Sequence, residues 1–264
     1  MNGWLKGVYL YRHFLASSIR NELVNQFARS RLGGLWLIIH PLVMVAIYAF
    51  VLSAVLSAKF DGIDNRYAYA IYLTSGILAW TLFSDTLSRC LNLFVGNGDL
   101  LKKMRIPKVT LPLITAGTVL INNLVLFAAI IVIFAFLGHA PTMTIVWMPV
   151  ITGVLLLFAL GLGVIIGVLN VFLRDLAQVV PIVLQFLFWF TPIVYPVVII
   201  PEDVRGFLFF NPVYLLVNAY HDVLAYQQSP NLFDLGILGL IGAVLLVLGL
   251  WLVRKANAEM VDKL

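Results

Sequence analysis

The chain is poor in charge, nearly free of cysteine, and empty of the short motifs that mark nucleotide or metal chemistry. Only 11% of its 264 residues are Asp, Glu, Lys or Arg, where an ordinary soluble domain carries about 25%. The hydrophobic set makes up 62%, against about 45–50% in soluble domains. A soluble fold of this size cannot hide so much apolar surface and still cover itself with polar groups. A soluble enzyme, a nucleic-acid-binding domain and a disordered tail are thereby excluded, and the remaining solvent is lipid. Cys90 is the one cysteine, so there is no internal disulfide framework. No G-x-x-x-x-G-K-[ST] phosphate loop occurs, which excludes ATP binding by that route. H-E-x-x-H, C-x-x-C and G-x-S-x-G are missing as well. His13, His40, His139 and His221 fall on different segments and read as interfacial residues, so no metal site is expected. The first 34 residues hold no uninterrupted apolar core with a cleavage site after it, and no secretory signal is expected there.

What the chain has instead is long apolar runs. About 20 apolar residues make a helix long enough to cross the hydrocarbon layer. Runs of that kind lie at 35–58, 67–95, 109–137, 143–171, 178–200 and 233–253. The second contains Asp85 and Arg89, and the fifth contains Pro181, Pro192 and Pro196. The reading is an all-α integral membrane protein with six transmembrane helices. Residues 1–34 precede a transmembrane body at 35–253, and a short tail follows at 254–264.

Lys and Arg favour the cytoplasmic side of a membrane protein. Thirteen of the seventeen bases fall before the first run, after the second, after the fourth or after the sixth. Only Lys59, Arg66 and Arg205 fall on the other side. Both termini are therefore expected in the cytoplasm. Topology and anionic lipid account for the net charge of +5, and no nucleic-acid partner is needed.

Three segments are not plain spans. Residues 5–27 carry Val8, Tyr11, Leu15, Ile19, Leu23 and Phe27 at steps of three or four, an amphipathic helix suited to the cytoplasmic membrane surface. It can serve as a lipid anchor, a docking ledge, or both. Residues 96–108 form a basic cytoplasmic connection in which Asp99 caps a short turn that Pro107 ends. This is either a helix gripped by a partner or a loop that only sets topology. Residues 201–232 hold two apolar stretches, 206–210 and 213–220, too short to span. Pro201, Pro212 and Pro230 separate them, and they read as two short re-entrant outer helices between crossings five and six.

Asp85 and Arg89 are four apart and share a helical face. Either they neutralise each other near the cytoplasmic end, or they mark a functional site within the span. Aromatics are 13% of the chain. They can form interfacial belts, or line a path on which the apolar faces of sugars stack. Gly163 and Gly167 form a G-x-x-x-G that permits close helix packing within or between subunits.

Three stretches together resemble the membrane subunits of polysaccharide-exporting ABC transporters, nearest to the O-antigen export type. They are FARSRLGGLWLIIHP at 27–41, LNVFLRDL at 169–176, and TPIVYP at 191–196 followed by Asn211-Pro212. Capsule and teichoic acid export permeases are near relatives. The resemblance implies a non-enzymatic permease that exports undecaprenyl-linked polysaccharide. It implies a homodimer with two separate ATP-binding subunits, and ATP and Mg on those partners only. ATPase coupling then falls to Asp99, Leu100, Lys102, Lys103, Arg105, Arg174 and Asp175, with Asp175 also placed to cap the following helix. The interface helix carries Arg20, Arg29 and Arg31. Trp36, Tyr48, Trp80, Phe186, Trp189 and Tyr195 are the expected channel aromatics. Phe209, Asn211, Pro212 and Tyr214 form the expected outer gate. A drug-exporting ABC permease is the nearest alternative. A secondary transporter would need an inverted repeat and coupling residues near the midplane, and a membrane enzyme would need paired acids or a metal cluster. Neither is found in the sequence.

Overall fold

A computed structural model of the chain describes residues 12–27, 31–36, 38–44, 46–47, 63, 67–98, 102, 109–256, 259–260 and 263. It is helical, and no strand occurs among the described residues. Three helical stretches are long and apolar enough to cross a membrane: Thr110–Phe136, Met143–Phe172 and Leu232–Lys255. The first is α4. The second opens with a 3-10 stretch, Met143–Trp147, and continues as α5, Met148–Phe172. The third is α9. Before them come α1 (Arg12–Phe27), α2 (Ala68–Leu91) and the single turn α3 (Leu93–Gly96). Between α5 and α9 lie α6 (Leu176–Phe190), α7 (Glu202–Leu208) and α8 (Pro212–Tyr220).

The core is built on α5, which packs on α2 along one side and on α9 along the other. Glycine makes both contacts possible. A Cβ on Gly163 would stand 2.7 Å from Cys90 Cβ, and one on Gly167 would run into the Cys90 carbonyl oxygen. On the opposite side, a Cβ on Gly161 would meet the Leu246 backbone nitrogen at 2.6 Å, and one on Gly242 the Phe158 backbone at 2.9 Å. The G-x-x-x-G of α5 therefore packs helices within the subunit, as small residues do where lipid offers no hydrophobic drive for association. Buried hydroxyls of α2 are satisfied locally. Ser75 and Thr86 donate to the carbonyls of Ile71 and Leu82, four residues back, at 2.8 and 2.6 Å.

Several boundaries differ from the sequence reading. The run at 35–58 lies largely outside the described residues, apart from an apolar helical start at Gly33–Met44. The run at 67–95 is α2 and α3, whose Thr, Ser, Asp and Arg content makes it less apolar than the three long stretches. The run at 178–200 is not one continuous helix. α6 covers 15 residues and ends at Phe190, where Thr191 turns extended at φ −99°, ψ 130°. The cause is Pro192, which disfavours helical backbone in the residue before it. The first of the two short helices expected between 201 and 232 is Glu202–Leu208 rather than 206–210. Pro201 precedes it, and Glu202 and Asp203 occupy its first turn, where the helix dipole favours acids.

Leu15, Ile19 and Leu23 of the expected stripe are half-buried in α1, but so are Ser18 and Glu22, while Val24 is exposed, so apolar and polar residues do not separate onto opposite faces of Arg12–Phe27. Ile19 fills the notch left by Gly117 of α4. Alongside it, Thr118 donates to Glu22 at 3.2 Å and Asn122 Nδ2 donates to Gln26 at 3.3 Å. Polar residues on the flank of the stripe thus join it to the bundle.

Candidate functional site

The T-P-I-V-Y-P stretch after α6 is a buried loop, with Ile193 and Val194 almost fully enclosed. A loop without helical bonds must satisfy its carbonyls otherwise, and α2 supplies the donors. Tyr69 Oη donates to the Val194 carbonyl at 3.0 Å. Tyr72 Oη donates to the Pro192 carbonyl at 3.1 Å and lies 3.3 Å from the Tyr195 carbonyl. Tyr69 and Tyr72 are three apart, so both reach the loop from one helical face.

The loop is tied from its other side by Asn211. Its Oδ1 accepts from the backbone nitrogens of Val213 and Tyr214, capping α8, while its Nδ2 donates to Thr191 Oγ1 at 3.0 Å. Pro212 sits in the first turn, where its missing N–H costs nothing. α8 runs into a π-helical turn, His221–Ala225. There the fully buried His221 stacks on Tyr72 with ring centroids 3.7 Å apart. Gly76 makes room for that ring, since a Cβ there would lie 2.7 Å from His221 Nε2. Next to it, burial pushes the Asp222 carboxyl up to about 6. Asn218 donates to this carboxyl at 3.1 Å.

Of the expected gate residues, Asn211, Pro212 and Tyr214 therefore belong to one hydrogen-bonded unit with the loop. Phe209 stands exposed beside it, edge-on to Tyr214 at 6.2 Å. Tyr69, Tyr72 and His221 were not among the expected site residues. The i, i+3 spacing of the two tyrosines was the available signal, and the aromatic content alone left open whether such residues form interfacial belts or line a path.

Among the expected channel aromatics, Trp80 meets Phe188 edge-on at 5.4 Å, and Phe188 meets Trp189 at 5.5 Å. Phe188, absent from the expected set, thus links Trp80 on α2 to Trp189 on α6. Phe186 and Trp189 are exposed on α6. Tyr195 is half-buried and donates to the Trp189 carbonyl at 2.6 Å. Trp36 lies apart from this cluster, near Asp85. Tyr48 lies outside the described residues.

At the other end of α2, the Asp85–Arg89 pair is formed, with Nε to Oδ1 at 2.8 Å. It is not self-contained. Arg89 Nη1 also reaches Glu22 of α1 at 3.0 Å, so one guanidinium bridges two carboxylates and joins α1 to α2. Of the expected coupling residues, Lys102, Arg174 and Asp175 are exposed, as are Arg20 and Arg31. Asp99, Leu100, Lys103, Arg105 and Arg29 lie outside the described residues. Asp175 holds the N-cap position of α6, but its side chain makes no capping bond. Its backbone is already helical at φ −65°, ψ −22°, whereas a capping side chain needs an extended backbone to fold back. Among the described residues, no group of three or more His, Cys, Asp or Glu side chains is placed to hold a metal ion.

Apolar helices of membrane length on a glycine-packed core, joined by a buried tyrosine-held loop, define a helical membrane protein of the multi-pass class. The family follows from the sequence: the chain belongs to the ABC-2 type transporter family, which matches residues 14–224. It is 30% identical over 238 residues to the O-antigen export system permease protein RfbA of Klebsiella pneumoniae, covering 89% of this chain and 88% of that one. It is 28% identical to the RfbA of Myxococcus xanthus, over 92% of both. Polysialic acid transport protein KpsM of Escherichia coli is 23% identical, over 90% of this chain and 92% of that one.

Proposed function

We propose that the chain is the permease half of an ATP-driven exporter that moves undecaprenyl-linked polysaccharide, of O-antigen type, from the cytoplasm across the bacterial inner membrane. The observation that carries this reading is the near end-to-end match to O-antigen export permeases. Six crossings with both termini in the cytoplasm, a homodimer, and two ATP-binding subunits holding ATP and Mg complete it. Residues 1–34 are the cytoplasmic interface, 35–253 the permease body with its re-entrant outer segment, and 254–264 the tail.

The arrangement suits such a task. The chain has no phosphate loop, so the driving force enters from a partner at the cytoplasmic surface, through α1, residues 99–105 and Arg174-Asp175. α2 is 24 residues long, a rod of about 36 Å at 1.5 Å per residue. One end is tied to α1 by Arg89, and the other grips the outer loop through Tyr69 and Tyr72. A shift of α1 is passed along this rod to the loop and to α8, which form the outer gate with Phe209. The exposed aromatic face of α6, with Phe186 and Trp189, faces the path or the second copy, and Trp36, Tyr48, Trp80 and Tyr195 add stacking surfaces for sugar rings.

The test is reconstitution in lipid nanodiscs with the ATP-binding subunit that co-purifies with this chain. ATP hydrolysis should rise when undecaprenyl-linked glycan is added and stay at the basal rate with an unrelated lipid-soluble drug. Transport of glycan without an ATPase would sink the reading. The likeness to the polysialic acid transport protein favours one second reading, export of a capsular polysaccharide. Stimulation by capsule but not by O-antigen intermediates would select it.

A further inference from the structure

A cavity of about 380 Å³ lies between the end of α1, the Arg89 half of α2, the middle of α4 and the residues around Trp36. Its volume is in the range of small-ligand sites, about 300–1,000 Å³. Polar side chains form part of its wall, with Thr81, Ser84, Asp85, Ser88, Arg89 and Asn122 among the lining residues. Polar groups at membrane depth are costly and call for a partner. One of them has none. Asn122 is 7% exposed, its Nδ2 donates to Gln26, and its Oδ1 accepts no hydrogen bond. A buried acceptor of this kind is an exception that asks for an occupant.

The donor and acceptor inventory selects the occupant. Thr81 and Ser84 spend their hydroxyl protons on the carbonyls of Leu78 and Trp80, at 3.0 and 2.8 Å. Their oxygen lone pairs remain as acceptors. Asp85 and Asn122 Oδ1 add more. Arg89 is already divided between Asp85 and Glu22, so it leaves no surplus positive charge. A pyrophosphate is a multiply charged anion, and with Asp85 and Glu22 both paired to Arg89 no net positive charge is left among the described lining residues to balance it. A sugar ring brings several hydroxyl donors, and its apolar face can stack on Trp36, which is 46% exposed.

We propose that this cavity is a subsite for an uncharged sugar ring of the transported glycan, with Trp36 stacked on the ring and Asn122 Oδ1 accepting one of its hydroxyls. The inference rests on the polysaccharide-permease reading and deepens it by separating where the sugar binds from where the carrier pyrophosphate binds.

The test uses the assembled transporter in nanodiscs and a Ser88→Cys variant. The native Cys90 is fully buried and does not compete for a water-soluble thiol reagent. Undecaprenyl-linked glycan at tenfold its dissociation constant should slow labelling of the new cysteine about tenfold by simple occupancy. Undecaprenyl pyrophosphate without sugar should leave the rate unchanged. Ser84→Cys reports on the same cavity if the first variant does not fold, and Ser229→Cys in the outer connection shows that protection is local. Asn122→Leu in the Ser88→Cys background should remove the protection. Equal protection by the sugar-free carrier, no protection by the glycan, or protection that survives Asn122→Leu would overturn the proposal. If glycan still stimulates ATP hydrolysis in that case, only the subsite fails. If it does not, the permease reading fails with it.

Discussion

α5 and α6 follow each other in the chain and are both strongly apolar, yet they are used in opposite ways. α5 buries fourteen of its 25 residues, whereas α6 buries only Leu184 of its 15. Hydropathy does not distinguish them, because lipid and protein interior are equally apolar. The distinction lies in shape. α5 carries Gly161, Gly163 and Gly167, which let α2 and α9 approach to backbone contact. α6 has no glycine and ends at a loop that is itself held by α2. The lesson is that small residues, more than apolar ones, choose which helix becomes the centre of a membrane bundle.

The sharpest way to break this comparison is to give α5 a side chain at its closest contact. Gly167→Leu should cost about 3 kcal/mol or more, since the new Cβ would collide with the Cys90 carbonyl and backbone cannot give way cheaply. Val183→Leu on the exposed face of α6 should change stability by less than about 0.5 kcal/mol. Thermal unfolding of the detergent-solubilised chain, followed by loss of the monodisperse peak, measures both. Equal effects would show that glycine packing does not organise the bundle.

A smaller effect is expected where α6 hands over to its loop. Tyr72→Phe keeps the stacking on His221 but leaves the Pro192 carbonyl without its donor, at a cost of about 1–3 kcal/mol. Faster amide hydrogen exchange should follow at 193–195 and in α8, with α5 unaffected. Uniform acceleration across α5 and the loop would mean that the loop is not a separate unit.

The charge bridge at the other end of α2 should be weaker still, because its side chains are partly exposed. A double-mutant cycle of Glu22→Gln and Arg89→Gln should give a coupling of about 0.5–1 kcal/mol. A value near zero would mean that α1 is held by Ile19 and the neutral hydrogen bonds alone.

A further test uses pH on the segment that follows α8. The Asp222 carboxyl is raised from 3.8 to about 6 by burial. Between those values the folded chain holds a proton that the unfolded chain has released, so stability falls as pH rises from about 4 to about 6 and is flat above. Asp222→Asn should remove this slope and stabilise the segment at neutral pH, read from melting curves at pH 4.5 and 7. An unchanged slope would place the titration elsewhere.

Much of this was legible in the residues. Composition pointed to lipid, the runs at 109–137, 143–171 and 233–253 reappear as the long helices, and Gly163-x-x-x-Gly167 pointed to close packing. The T-P-I-V-Y-P stretch and the following Asn211-Pro212 were singled out together, but without any sign that Asn211 hydrogen-bonds Thr191. Asp175 stands where a cap belongs but does not cap, because that depends on a backbone dihedral and not on residue type. Asp85 and Arg89 were recognisable as a pair, since their spacing is local. Glu22 was not, because it lies 67 residues away.

The sequence alone, then, determined the solvent, the helical class and the Asp85–Arg89 pair, all of which depend on composition or on residues a few positions apart. Only the tertiary structure decided which apolar helix is central, which carbonyls Tyr69 and Tyr72 satisfy some 120 residues away, and that Asn122 keeps an unanswered acceptor. Those outcomes depend on how closely backbones approach and which donors meet which acceptors, quantities that exist only once the helices are packed.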